Sequence, residues 1–191
     1  GEDFYGVRMA AAISLGEIGG DAARAVLSET YRAEKDSRVR RSIVWALGNF
    51  KDEAATDFLR DVSQKDESYF ATVAAVRGLA AIGNDKAFDA LKPALTRTSW
   101  QEVIAASVFH GFSQAKNKRG VDLALDHSKY GKPVPIRTAA IGCLGTLGKE
   151  LQKEDKADKP KEEKASAEVT SADMPPKEEK TETDPEEDSK P

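Results

Sequence analysis

The side chains that most often perform chemistry in proteins are few in this chain, and their spacing forms no reactive site. There are two histidines, His110 and His127, and one cysteine, Cys143. Neither histidine belongs to an H-E-x-x-H pattern or to another spacing typical of zinc ligands. No G-x-S-x-G elbow and no phosphate-binding glycine loop is present. We therefore predict no catalytic, cofactor-binding or metal-ligating residues, and no cofactor held by this chain.

A pattern that recurs every 32 or 33 residues organises the chain instead. Its anchor is a large apolar residue, and we number the other columns of the pattern relative to it. Columns −8 and −3 are mostly apolar, and columns −5 and −1 hold small residues, so that columns −8, −4, −3 and 0 share one face of a helix. The anchors of the five copies are Leu15, Leu47, Leu79, Phe112 and Leu144.

A second amphipathic helix follows in each repeat. Leucines stand 12 residues after the first three anchors, with alanines four residues before them, at Leu27, Leu59, Leu91, Ala23, Ala55 and Ala87. Asp21 and Asp85 are predicted to cap these second helices, and Asp36 and Asp66 to open the first helices of repeats two and three. The pattern predicts an all-α fold, a right-handed α-solenoid of about five two-helix repeats over residues 1–148.

The fourth repeat departs from this pattern. Gly120 falls where an alanine is expected, and Leu123 and Leu125 straddle the expected leucine. Pro133 and Pro135 disfavour helix just before the fifth copy. We expect an irregular connection over residues 128–135, with the fifth helix beginning near residue 136.

Arginine follows column −8 in three copies, at Arg8, Arg40 and Arg137. A ladder of arginines that bond acids or helix-end carbonyls of adjacent repeats explains this spacing. A row of phosphate-binding arginines is the alternative, and Thr72 and Ala105 in the remaining copies weaken it.

Several side chains have both a packing and a functional interpretation. Trp45 lies in the middle of a first helix and is assigned to packing, whereas Tyr69 and Trp100 are expected to pack at helix starts. A contact surface formed by these three aromatic residues is the alternative. His110 lies between two core columns and Cys143 in a column of small residues, so both are predicted to pack. His127 falls in a loop-like stretch.

Charge is distributed unevenly along the chain. The net charge is −4, whereas residues 149–191 alone contain 9 Lys and 15 Asp or Glu. Residues 1–148 are therefore close to neutral and lack the basic stripe of a typical nucleic-acid binder. We predict a polar capping helix or linker over residues 149–159 and a disordered acidic tail over residues 160–191. No run of residues is long and apolar enough for a membrane span, and the compartment stays undetermined.

The first helix is apolar on nearly every side, although a terminal repeat usually presents a polar outer face. Phe4 and Tyr5 add aromatic surface just before it. We interpret this as the mark of a missing neighbour, so that the chain is the C-terminal piece of a longer protein. Dimerisation through the same face is the alternative.

The Val-Arg-x-Ala-Ala…Leu-Gly pattern resembles HEAT-like repeats, a type also seen in phycobilin lyases, over residues 4–148. A narrower likeness lies in residues 3–8, 66–69, 99–100 and 135–140, which resemble the C-terminal helical-repeat region of bacterial zinc aminopeptidases of the aminopeptidase N family. In that family the zinc ligands and the G-x-M-E-N motif lie in an upstream domain, and none of those residues occurs here.

These resemblances imply three functions. The first is a noncatalytic domain that braces the catalytic module of a zinc metalloaminopeptidase, whose zinc is bound upstream, and shapes substrate access. The second is a stand-alone scaffold or adaptor that holds a protein or peptide in a groove lined by the second helices. The third is a HEAT-type lyase or nucleic-acid enzyme. The partner is accordingly an upstream domain of the same polypeptide or a separate protein or peptide.

Overall fold

The computed structural model describes residues 4–157, and the side chains of residues 4–154. Within this part the chain is helical, without strands, and a short 3-10 turn, Trp100–Glu102, precedes the seventh α-helix. The α-helices are α1 Tyr5–Ile18, α2 Gly20–Ala33, α3 Ser37–Leu47, α4 Glu53–Lys65, α5 Tyr69–Ile82, α6 Asp85–Thr96, α7 Val103–Ala115, α8 Gly120–His127 and α9 Val134–Ala157.

Alternate helices form two rows, which is the arrangement of an α-solenoid. The first helices of the repeats pack in series, with α1 against α3, α3 against α5 and α5 against α7. Each second helix packs beside its own first helix, and α4 also contacts α6. The predicted all-α solenoid is therefore confirmed. Within the described residues the fifth repeat contributes only α9.

The anchor columns form the hydrophobic core. Leu47, Leu79 and Phe112 are fully buried, whereas Leu15 and Leu144 at the two ends are half-buried. The predicted leucines and alanines of the second helices are buried as well, at Leu27, Leu59, Leu91, Ala23, Ala55 and Ala87. One apolar stripe per helix therefore supplies a continuous core.

Successive first helices approach each other through small residues. A Cβ atom added to Gly111 would lie 2.7 Å from the Cβ of Ala80 and 3.0 Å from the Cα of Arg77. The residue in column −1 of each repeat thus contacts the residue in column +1 of the repeat before it. The contacts of this small-residue ladder are Gly16–Ala46, Gly48–Gly78, Ala80–Gly111 and Ser113–Cys143.

The helix caps differ in part from those predicted. Asp36 caps α3 as expected, because its carboxylate accepts a hydrogen bond from the N–H of Arg38 at 2.9 Å. The predictions for Asp21 and Asp85 were wrong. Both lie in the first turn of their helices; Gly19 precedes α2, and the side chain of Asn84 caps α6 at the N–H of Ala87.

Asp66 ends α4 instead of capping α5, whose cap position is held by Ser68. The Asp66 carboxylate accepts hydrogen bonds from the N–H of Ser68, from the Tyr31 hydroxyl and from the Arg40 guanidinium, with Arg40 Nε at 3.1 Å. Asp66, at the end of α4, therefore links this helix to α2 and α3 at a buried position. Burial alone would raise its pKa, but the bonds from Arg40, Tyr31 and Ser68 outweigh that effect and lower the pKa below its usual value.

Repeat one contains an equivalent contact. Arg8 Nε donates to Glu34 at 2.9 Å, and Glu34 also accepts from the N–H of Asp36. The prediction that these arginines bond acids is confirmed, but each pair joins the two helices of one repeat and not adjacent repeats. Arg137 lies near the ring of Tyr130 instead, at 5.9 Å.

The third repeat replaces this pair with a different contact. Its C-cap residue is Arg97, which donates to the carbonyl of Ser63 at 2.6 Å and to that of Asp66 at 3.4 Å, both at the end of α4. An arginine thus satisfies helix-end carbonyls of the preceding repeat, as was expected of the ladder but from another position.

An irregular connection follows the fourth repeat, as predicted, although it covers residues 128–133 and not 128–135. Helix α8 has 8 residues, and the turns that follow it lead to α9, which begins at Val134 and not near residue 136. Pro135 fits within the first turn of α9 because the N–H groups there have no intrahelical acceptor. Helix α9 then runs without a break through Gly148 to Ala157.

Both end repeats expose columns that the inner repeats bury. Val7 is 67% exposed, whereas Val39, its equivalent in repeat two, is 1% exposed. Ile141 in α9 is 54% exposed, whereas Val76 in the same column is buried. The compact unit extends to Lys153. The predicted tail over residues 160–191 lies outside the described residues.

The small-residue ladder predicts that replacing glycine by alanine has opposite effects on stability at two helical glycines. Gly111→Ala should destabilise the fold by about 1–3 kcal/mol, because the methyl group would strike the backbone of α5. Gly145→Ala should stabilise it by about 0.5–1 kcal/mol, since no atom lies within 4 Å of the added Cβ and alanine favours helix. Urea unfolding at neutral pH measures both, and equal effects of the two substitutions would contradict the ladder.

Asp66→Ala should cost about 3 kcal/mol of unfolding free energy at pH 7, because Arg40 would lose its buried carboxylate. Since the folded-state pKa of Asp66 is lowered, its stabilisation is fully present above the unfolded-state pKa, near 3.8, and is lost as the pH falls through the folded-state pKa. The difference between wild type and variant should therefore shrink below about pH 4. Urea unfolding of both proteins at a series of decreasing pH values, starting at pH 7, measures this difference in unfolding free energy. A free-energy difference that does not vary with pH would exclude a role for the carboxylate charge.

Candidate functional site

A surface groove of about 720 Å³ crosses the row of first helices. Helices α1, α3 and α5 form most of it, and the 3-10 turn and the start of α7 close one side. We call it the aromatic groove. Its lining residues are Met9, Ile13, Arg41, Ser42, Trp45, Tyr69, Phe70, Val73, Ala74, Arg77, Trp100 and Val103.

The repeat explains why these residues meet. Columns −6 and −2 lie four residues apart and therefore share a helix face. Stacking of the first helices places this face of each repeat beside that of the next. Repeats one to three contribute Met9, Arg41 and Val73 from column −6, and Ile13, Trp45 and Arg77 from column −2. Large side chains in these two columns were the signal that sequence reasoning missed.

Four aromatic side chains of the groove remain open to solvent. Trp45 is 49% exposed, Tyr69 44%, Phe70 63% and Trp100 69%. The assignment of Trp45 to packing was therefore wrong, because half of its surface is exposed. Trp45 lines one groove with Tyr69 and Trp100, the other two aromatic residues of the alternative. Tyr69 and Trp100 do lie at helix starts, as predicted, but they also line the groove. Aromatic residues of this kind dominate the binding energy of many protein interfaces.

Trp100 reaches the groove through a strained turn. The next two residues, Gln101 and Glu102, have positive φ angles of 48° and 55°. Residues other than glycine adopt positive φ angles at a cost of about 1 kcal/mol or more per residue. The turn is fastened to α7 by Ser99, whose hydroxyl oxygen accepts the N–H of Ile104 at 3.2 Å. The chain thus holds Trp100 at the rim at some energetic cost.

The charged side chains of the groove are both arginines. The guanidinium carbon of Arg41 lies 5.9 Å from the ring centroid of Phe70, within cation–π range. Arg77 lies on the next first helix, α5. No acidic residue is found among the lining residues. The groove therefore combines apolar surface with positive charge.

The row of second helices carries a different cleft, of about 630 Å³, between α2 and α4. Most of its charges are paired within the protein. Arg24 bonds Asp52 and Asp21, and Arg60 bonds Asp57 at 2.9 Å. The edge of Tyr31 packs against the ring of Phe58, 5.1 Å between centroids. A cleft is therefore present along the second helices, as expected, but most of its charged groups are already paired within the protein.

The two histidines occupy positions that differ from those predicted. His110 is exposed in column −2 of α7 and does not pack in the core. Its pKa is lowered, first by partial desolvation and then by the nearby charge of Arg77. His127 ends α8 instead of lying in a loop, with its ring 5.4 Å from that of Phe109.

Cys143 is a buried free thiol, as predicted. Burial raises its pKa, although a bond with Ser113 acts in the opposite direction. A thiol held protonated in this way is a poor nucleophile.

Among residues 4–157 no cluster of three His, Cys, Asp or Glu side chains could hold a metal ion. None of the helices within the same residues combines the length and the hydropathy needed to cross a bilayer.

Comparison with known proteins agrees with the repeat architecture. The family model of HEAT repeats matches residues 2–47 and 32–109. Together these matches cover residues 2–109, more than half of the 191 residues. No curated protein matches the chain. Because these matches cover more than half of the chain, from α1 into α7, the chain belongs to the HEAT repeat family.

Proposed function

We propose that this chain is a noncatalytic helical-repeat scaffold that binds a segment of a partner protein in the aromatic groove. The observation that carries the proposal is the exposure of Trp45, Tyr69, Phe70 and Trp100 beside one another. HEAT repeats commonly mediate protein interactions, which agrees with this role. Both tryptophans of the chain lie in the groove.

The groove is suited to an extended or helical segment more than to a flat surface. Its floor is formed by residues of the packed helices, including the buried Ser42 and Ala74. Its rim holds the large aromatic side chains. Because the helices beneath are held by the core, binding orders few groups on this side of the interface, which lowers its entropic cost. Deeply inserted aromatic or aliphatic anchors of the partner would supply the affinity.

The finer hypothesis is that the parent protein is a zinc metalloaminopeptidase and that this chain braces its catalytic module. The narrower sequence resemblance supports it, whereas the family model that matches is that of HEAT repeats in general. The exposed apolar face of α1, with Val7 67% and Ile18 76% exposed, is surface that a neighbouring domain would cover. The test is to read the open reading frame upstream of residue 1. A frame without an H-E-x-x-H motif would remove this hypothesis and leave the scaffold proposal intact.

Trp100→Ala should weaken binding of a partner segment by about 2 kcal/mol or more, as expected for an exposed aromatic anchor. Tyr130→Ala is the matched control, because Tyr130 is 97% exposed and lies outside the groove. Stoichiometric partners recovered by affinity purification with the full chain should be lost with Trp45→Ala/Trp100→Ala and retained with the control.

Thermal melts should show little change for either variant, because the altered side chains are exposed. Full retention of a stoichiometric partner by the double variant would exclude the groove as its binding site. A second readout comes from the tryptophans themselves, whose emission should shift to shorter wavelength when a bound segment covers them.

A further inference from the structure

The pairing of arginines is uneven across the molecule. Arg41 and Arg77 lie in the aromatic groove, and within residues 4–154 neither has a carboxylate at ion-pair distance. Six arginines elsewhere do have such a partner, namely Arg8, Arg24, Arg38, Arg40, Arg60 and Arg119. Within the described residues Arg32, Arg97 and Arg137 likewise lack a carboxylate partner. Arg41 and Arg77 differ from them because both line one apolar groove that contains no acidic side chain.

The two arginines lie among the apolar side chains that line the aromatic groove. Arg41 belongs to column −6 of repeat two, and Arg77 to column −2 of repeat three. Both are exposed, and both line the same groove as Trp45 and Phe70. The ring of Phe70 lies beside the Arg41 guanidinium. An arginine held against an aromatic face keeps its N–H edge free for a carboxylate.

We propose that the occupant of the aromatic groove is an acidic amphipathic peptide segment of a partner protein, in which carboxylates flank aromatic or aliphatic anchors. The inference rests on the scaffold function proposed above and adds the chemistry of the partner. The anchors lie against Trp45, Tyr69, Phe70 and Trp100, and the carboxylates pair with Arg41 and Arg77. Charge complementarity of this kind selects among apolar segments that would otherwise bind alike.

A nucleic acid would also offer negative charge and stacking surface, but the rest of the chain does not favour it. Residues 1–148 carry a net charge of only about +2, from 20 Lys or Arg and 18 Asp or Glu. Binding to a phosphate backbone usually draws on a broad basic surface. Two arginines within an apolar groove fit a peptide with a few carboxylates better than a polyanion.

The test is a selection of short random peptides displayed on phage against the immobilised full chain. Enriched peptides are then synthesised with a fluorescent label, and their binding is followed by the fluorescence anisotropy of the label, which can be measured in every variant. The charge-reversal variant Arg41→Glu/Arg77→Glu is compared with Arg32→Glu/Lys51→Glu, which changes the net charge equally at exposed positions outside the groove. The salt dependence of binding is measured for the best peptide and for a single-stranded oligonucleotide.

The proposal expects enriched peptides that combine acidic residues with aromatic or aliphatic ones. Their affinity should fall about tenfold or more in Arg41→Glu/Arg77→Glu and change little in the control variant. Selection against the charge-reversed chain should enrich peptides that contain lysine or arginine in place of the acids.

Other outcomes distinguish the proposed acidic partner segment from the scaffold function on which it rests. Enriched peptides that are neutral or basic, yet lose binding in Trp45→Ala, would overturn the acidic partner and leave the scaffold function standing. Enriched peptides that bind Trp45→Ala/Trp100→Ala as well as wild type would overturn both. An oligonucleotide that binds more tightly than any selected peptide, and displaces it, would identify the groove as a nucleic-acid site instead.

Discussion

The close approach of successive first helices is the constraint on which the structure depends. Small residues make this approach possible, because a larger side chain at the contact would collide with the neighbouring backbone, as the geometry at Gly111 shows. The same approach sets the position of each helix along the row. With the helices so placed, equivalent columns of neighbouring repeats lie side by side, and the anchors Leu47, Leu79 and Phe112 are fully buried.

The aromatic groove is a consequence of this stacking. Columns −6 and −2 lie beside the core on each first helix. Met9 and Val73 of column −6 pack against the core, whereas Trp45 and Arg77 of column −2 are exposed. In repeats one to three the side chains of both columns are large and apolar or cationic, and Trp100 joins them from a strained turn. The cleft between α2 and α4 differs from this groove, because most of its charged side chains are paired within the protein, as Arg60 is with Asp57. Function in this chain is therefore best sought on the first helices.

Sequence reasoning recovered the fold more fully than the surface. The repeat period, the buried leucines and the pairing of Arg8 and Arg40 with acids followed from spacing alone, because each depends on contacts that recur within one repeat or between neighbours. Helix caps were less predictable. Asp85 and Asn84 stand side by side, and either can cap a helix; the backbone geometry of the preceding turn decides which one faces the free N–H groups.

The amino-acid sequence by itself determined that the chain forms helix pairs with one apolar stripe each, since periodicity fixes which side of a helix must leave water. Only the tertiary structure decided that Trp45 is half exposed and that it shares a groove with Trp100, 55 residues away. Periodicity gives the face of a residue within its own helix, whereas exposure depends on which part of that face the neighbouring helices leave uncovered.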